Sequence, residues 1–251
     1  RYRIVDLSGT LRERQQQALV RYADRVEWLG ELPASMQGVV VGNEVLDAMP
    51  VQLLARVGGQ WFERGVVRNA GNDGWTWADR ATELRPPVDV PGAHDYLTEI
   101  HPQAQAFIAT LADRLEKGAA FLIDYGFPES EYYHPQRHMG TVMCHRAHQA
   151  DGDPLADVGY KDITAHVDFT GIAVAGQEAG LEVLGYTSQA RFLLNCGLLA
   201  RMEQGTTAER GMAARLIHEH EMGELFKVVG FAVGEPWDAM GFVEGDRSHT
   251  L

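Results

Sequence analysis

Gly38-Val39-Val40-Val41-Gly42-Asn43-Glu44-Val45-Leu46-Asp47-Ala48-Met49-Pro50 is the stretch on which the fold class turns. Its first five residues form a compact β-branched run, the pattern of a strand buried on both faces. The run empties into Asn43 and Glu44, with a second acid, Asp47, one turn further on and Pro50 closing the segment. Two carboxylates and an amide at one strand end can hydrogen-bond an amino-acid-like ligand or clamp a guanidinium through paired contacts. The competing reading is the first turn of a helix, where acids are common.

Working outward, Tyr2 to Leu7 is a short apolar stretch ending in Asp6, and Thr10 to Arg25 alternates Leu11, Ala18, Leu19 and Tyr22 with polar residues as an amphipathic helix does. Ser8 or Thr10 can cap that helix. Downstream, Tyr96 to Lys117 reads as a helix ended by Gly118, and Ala119 to Asp124 as another buried strand ending in an acid. Thr170 to Ala179 is a helix, Glu182 to Tyr186 a strand, Gln189 to Met222 two helices, and Leu225 to Val233 a last strand. Strand–helix alternation of this kind specifies an α/β fold with a mostly parallel sheet, and the two late strands suit an antiparallel edge. Residues 1–50 and 96–251 form one body. Residues 51–95 are an insertion, opening with a hairpin turned at Gly58-Gly59 and carrying Trp61, Trp75 and Trp77, two of which are expected to pack inside.

In such sheets ligands sit outside the carboxyl ends of the strands. Asp6-Leu7-Ser8, Asn43-Glu44 with Asp47, and Asp124-Tyr125-Gly126 are the polar strand ends. Asp6 is placed to accept hydrogen bonds from both hydroxyls of a ribose, or equally to sit beside the positive end of the next helix. Lys161 to Phe169 alternates so that Asp162, Thr164, His166 and Asp168 share one face of a strand, with Asp168 alternatively a helix cap. Glu129 to Lys161 reads as a long polar loop with His134, His138, His145 and His148. His145 and His148, with Asp151 and Asp153, invite a metal reading. The stretch has no helical frame to hold ligands, so solvated histidines and no metal site are expected.

The chain has 251 residues and a net charge of −13. Strong acidity argues against non-specific nucleic-acid binding, and no apolar run reaches the ~20 residues needed to span a bilayer. Cys144 and Cys196 lie outside any CxxC pair. Neither a GxSxG motif nor a GxxxxGK[ST] phosphate loop is present. The chain opens Arg1-Tyr2-Arg3-Ile4-Val5, mid-strand in character, so upstream sequence is expected; with no leader and few cysteines, the cytoplasm is the expected location.

Tyr2-x-Ile-Val-Asp-x-Ser8 with Leu11-Arg12, Asn43 to Pro50, Ile123-Asp-Tyr-Gly126 and Asp162-Ile-Thr-Ala-His-Val-Asp-Phe169 resemble the MidA family over essentially the whole chain. So do Tyr132-Tyr-His-Pro, Gly140-Thr-Val-Met-Cys144 and Tyr186-Thr-Ser-Gln-Ala-Arg-Phe192. The resemblance implies a class I, Rossmann-like methyltransferase fold and S-adenosylmethionine as cofactor. For the mitochondrial relatives, which assemble complex I, it implies methyl transfer to an arginine of a partner protein. Residue by residue, it implies cofactor binding by Asp6, Leu7, Ser8, Asn43 and Glu44. Glu44 and Asp47 would hold the guanidinium, and His166 or Asp168 would be a more distant candidate to take its proton. It also implies a protein substrate such as a respiratory-complex subunit, and leaves room for a homodimer. The family's Gly-rich loop belongs before Arg1 and is absent here, so cofactor affinity of this stretch alone is expected to be weak or nil; the loop after Cys144 is also short. A non-catalytic scaffold that binds a partner during assembly is the alternative. A nicotinamide dehydrogenase would share the Asp6 logic but finds no hydride-site residues.

Overall fold

The computed structural model describes residues 1–71, 74–147 and 149–251. The chain opens with β1 (Tyr2–Val5), α1 (Gly9–Ala18) and β2 (Val26–Leu29), and β1 and β2 pair in parallel as a sheet of their own. Ser8 is the cap of α1, its hydroxyl accepting the Leu11 N–H at 3.3 Å. The helix stops at Ala18 and gives way to a single 3₁₀ turn at Val20–Tyr22, short of the sequence expectation.

β3 (Met36–Asn43) is followed by an antiparallel sheet of β4 (Gln52–Val57), β5 (Gln60–Arg68), β6 (Trp75–Ala81) and β7 (Tyr96–Ile100), in the order β6-β5-β4-β7. Gly58 and Gly59 make the β4–β5 turn with φ of +57° and +81°, which glycine adopts without penalty. Tyr96 to Ile100, expected as helix, is strand: Leu54 faces Thr98 across the ladder. α2 (Pro102–Arg114) begins only at Pro102, which belongs in a first helical turn and pushes the preceding residue out of the helical region. Of the three tryptophans, Trp61 is half-buried and meets Tyr96 edge-on at 6.2 Å, whereas Trp75 and Trp77 are exposed.

β8 (Leu115–Phe127) starts where the helix ends, so Gly118 is a strand residue rather than a helix cap. Its φ is +126°, and a Cβ there would lie 1.8 Å from the Gly38 carbonyl oxygen. α3 (Glu129–Tyr132) follows, then a small antiparallel sheet in which β9 (Met143–Arg146) lies between β10 (Gln149–Asp151) and β11 (Asp162–Thr164). The rest is β12 (Val167–Asp168), α4 (Phe169–Glu178), β13 (Glu182–Ser188), α5 (Gln189–Asn195), α6 (Leu198–Gln204), α7 (Thr207–Ile217) and β14 (Phe226–Val233). Three α-helices and a short π-helical turn at Glu219–Gly223, where the sequence suggested two helices, separate β13 from β14.

The central sheet runs β12-β8-β14-β13, with β3 also parallel to β8. β14 is antiparallel to both its neighbours, so the antiparallel strand lies inside the sheet and not at its edge as expected. The carboxyl ends of β3, β8, β12 and β13 and the amino end of β14 therefore share one edge. α2 and α4 cover one face through Ile108, Leu111, Phe169 and Ile172, packed on Leu122, Val229 and Phe231. On the other face Phe121 packs with Phe192 of α5 and with Phe242. β3 departs from the expectation of burial on both faces: Val40 packs on the core, but Val39 and Val41 are 68% and 65% exposed. Among the described residues β3 pairs with β8 alone, and nothing covers its second face. No described helix is long and apolar enough to cross a membrane.

Candidate active site at the carboxyl edge of the sheet

At the end of β3 the ladder continues one step, the Glu44 N–H donating to the Ile123 carbonyl at 2.9 Å. Glu44 then takes φ of +50°, the left-handed region that a non-glycine residue occupies at a cost. No helix follows. The turn is held instead by Asp124, a fully buried carboxylate on β8 whose Oδ2 accepts the Leu46 and Asp47 N–H groups at 2.9 and 3.2 Å. Burial, and then the neighbouring Asp47, push Asp124 up to about 7.

Asp47 is only 4% exposed. The Tyr125 hydroxyl donates to its Oδ2 at 2.5 Å, while Oδ1 is buried with no partner among the described residues. Burial raises its pKa. The Tyr125 ring meets His166 edge-on at 5.2 Å, and His166 also packs against Phe127 at 5.2 Å. The His166 backbone N–H donates to Thr141 Oγ1 at 3.0 Å, and the ring Nδ1 is buried without a partner among the described residues. Burial, then the Arg137 and Lys227 cations, push His166 down to about 4, so the ring is neutral and a poor proton acceptor. Asn43 and Glu44, by contrast, are exposed, with the Asn43 amide donating to Glu44 Oε1 at 3.2 Å.

The strand end at Asp6 is built differently. Asp6 Oδ1 accepts the Ser8 N–H at 2.8 Å, and Oδ2 accepts the Gln15 amide at 2.7 Å. Gln15 in turn accepts the Trp28 indole N–H at 3.1 Å. Leu7 is 91% exposed. Of the residues singled out in the sequence, the structure brings together Asp47 with His166 through Tyr125, Asn43 with Glu44, and Asp6 with Ser8. Among the described residues no hydrogen bond joins the Asp6 group to the Asn43 group.

The expected common face of Asp162, Thr164, His166 and Asp168 does not form, because the strand breaks at Ala165–His166 and the two pieces pair with different partners. Asp162 is exposed, while Asp168 is buried and caps α4, Oδ1 accepting the Gly171 N–H at 3.1 Å. Of the loop histidines, His148 lies outside the described residues; among those described, no group of three or more His, Cys, Asp or Glu could hold a metal ion.

Sequence reasoning passed over two groups. Asp124 and Tyr125 were visible only as a polar strand end, with no sign that they hold Asp47. Glu99 was not singled out at all. Fully buried on β7, it accepts the Thr141 and Val142 N–H groups at 2.8 and 3.2 Å and the Tyr132 hydroxyl at 2.8 Å. Tyr132 also bonds the His101 ring at 3.1 Å. Through Thr141 this network supports His166. A lone acid in the apolar run Tyr96-Leu-Thr-Glu-Ile100 was its only trace.

A family model described as an S-adenosyl-L-methionine-dependent methyltransferase matches residues 1–187. The chain is 30% identical over 190 residues to the mitochondrial protein arginine methyltransferase NDUFAF7 homolog of Drosophila melanogaster, covering 70% of this chain and 41% of that protein. Its Caenorhabditis elegans counterpart is 25% identical over 193 residues, with 73% and 43% covered. The chain thus spans about two fifths of these curated relatives, both named as mitochondrial where the cytoplasm was expected for this chain. The crystal structure of a Burkholderia thailandensis COG1565 superfamily member bound to S-adenosyl-homocysteine aligns with a TM-score of 0.92 and 47% identity, covering 100% of this chain and 68% of that one. A native structure from the same organism gives 0.91 and 48%, covering 100% and 71%.

Proposed function

The chain belongs to the S-adenosyl-L-methionine-dependent methyltransferase family, and from that premise we propose that it carries the acceptor side of a site methylating an arginine of a partner protein. The fold, in this reading, is the class I, Rossmann-like one, and S-adenosyl-L-methionine is the cofactor. When bound, the cofactor supplies a methyl group on an electrophilic sulfonium. The residues present suit it. An ionised carboxylate offers about four lone-pair sites, and Asp6 uses two of them in its own turn, leaving acceptors for ribose hydroxyls. Leu7 offers an uncovered apolar side chain to a flat base. Ser8 fixes the strand end as the cap of α1.

Methyl transfer needs positioning and charge placement more than covalent help from the protein. Glu44, exposed at the carboxyl edge, pairs with the incoming guanidinium and sets its orientation. Asp47 takes the released proton at Oδ1, the oxygen left without a partner among the described residues, while Tyr125 holds Oδ2. Burial raises the Asp47 pKa and so strengthens it as a base, while it pushes His166 down to about 4 and weakens it as one. His166 is a positioning residue that packs Tyr125 in place. The observation that carries this reading is the unpartnered, buried Asp47 Oδ1 one turn beyond a Glu44 held in a costly backbone conformation.

The test is transfer of tritiated methyl from labelled cofactor to an arginine-containing basic peptide. Label should appear on arginine, and Glu44→Gln should lower the rate about 10²-fold or more, as loss of a transition-state charge contact does. Unchanged transfer by Glu44→Gln removes Glu44 from the mechanism. Peptide binding without any label returns the chain to the scaffold reading.

A further inference from the structure

The same edge of the sheet holds a cavity of about 480 Å³ between the ends of β8 and β13 and the start of β14, within the size range of ligand sites. Three carboxylates, Glu131, Glu219 and Glu224, line it together with two cations, Lys227 and Arg247. Arg247 binds Glu224 through two nitrogens, at 2.6 and 3.3 Å, and Lys227 donates to the Glu224 carbonyl. Glu131 pairs with Arg137 at 3.1 Å. Glu219 has no ion-pair partner among the described residues. Tyr186 also lines the cavity; it is 1% exposed, and its buried hydroxyl has no partner among the described residues. Buried hydroxyls are almost always bonded, so one left open at a cavity wall calls for a partner that arrives.

We propose that this cavity is a subsite for a second basic side chain of the acceptor protein, meeting Glu219 and the Tyr186 hydroxyl. The proposal rests on the protein-methylation reading above. With Glu131 and Glu224 already paired, Glu219 is the lining carboxylate left without a counter-ion among the described residues, in a molecule of charge −13, and it is the group that favours an incoming cation. The bidentate grip of Glu224 on Arg247 shows that a guanidinium is sterically at home here. Position sets the spacing. β8, β14 and β13 stand one, two and three strands from β3, and strands lie about 4.8 Å apart, which puts the cavity roughly 10–14 Å from Glu44. An extended peptide covers that distance in about three to four residues. Phe127, on the cavity wall, packs on His166 and so joins the two sites through one row of side chains.

The experiment is calorimetric titration of the full chain with peptides that carry a central arginine and either lysine or glutamine three or four residues to one side. The lysine peptides should bind at least fivefold more tightly. Glu219→Gln, a change at an exposed residue, should remove that advantage and leave the glutamine peptides unaffected; Tyr186→Phe should reduce it. Equal affinity for both peptides, or an equal loss of both in Glu219→Gln, overturns the subsite. A lysine advantage that depends on Glu219 but persists when the central arginine is replaced, with no methyl transfer to any peptide, upholds the subsite and counts against arginine methylation.

Discussion

Asp124 does for the strand end what no local sequence rule would assign to it. Its carboxylate collects two backbone N–H groups from a segment 77 and 78 residues away and lies buried beside Asp47. A carboxyl pushed up to about 7 holds its proton in the folded protein where the unfolded chain, with a pKa near about 4, has released it. Its contribution to stability is therefore fully present below about pH 4 and is lost as pH rises through 7. Asp124→Asn cannot titrate. Urea unfolding at pH 4.5 and 7.5 should show the stability of Asp124→Asn rising relative to the parent by roughly 2–4 kcal/mol between the two conditions. A constant difference would mean that Asp124 does not titrate in that window.

Among the elements, β8 is the member on which the fold depends, pairing with β3 on one edge and β14 on the other. Gly118 permits the closest approach. Alanine there would place its Cβ against the Gly38 carbonyl in a backbone conformation that L residues rarely adopt. Gly118→Ala should cost more than about 3 kcal/mol or abolish folding. Gly180→Ala, with φ of +88° and open space around its Cβ, should cost only about 1 kcal/mol by denaturant titration. α7 is a weaker element and leans on its start. Thr206 accepts the Glu209 N–H while Glu209 accepts the Thr206 N–H, a complete capping box. Thr206→Ala should lower stability by about 1 kcal/mol and speed amide hydrogen exchange in that helix ahead of the core strands.

Across the whole molecule the titrating groups oppose one another. His101 and His166, both pushed down to about 4 by burial, refuse protons that the unfolded chain takes below about 6.5, so their contribution is lost as pH falls through that interval. Asp124, and Asp168 at about 6, act in the other sense over much the same range. The stability of the parent protein should therefore change little between pH 4.5 and 7, and the profile should steepen, rising with pH, in Asp124→Asn; thermal melts across that interval check both.

Local pattern carried much of this protein. The β-branched run before Asn43, the Gly-Gly hairpin, Ser8 as a cap, and the strands and helices at 115–127, 169–178, 182–188 and 226–233 follow from residues close together in the chain, because turn geometry, capping and side-chain periodicity are short-range properties. Asp6, Asn43, Glu44 and Asp47 were legible as strand-end polar residues for the same reason. Pairing across the sheet was not. That Tyr96–Ile100 is strand, that β14 lies inside the sheet, that Val39 and Val41 are uncovered and that the buried Glu99 carboxylate accepts from four groups depend on contacts tens of residues apart. The same holds for the character of the site. Asp47 differs from Glu44 because Asp124, Tyr125 and His166 close around it, and burial, which no stretch of sequence displays, encloses one of two similar acids and leaves the other in the open.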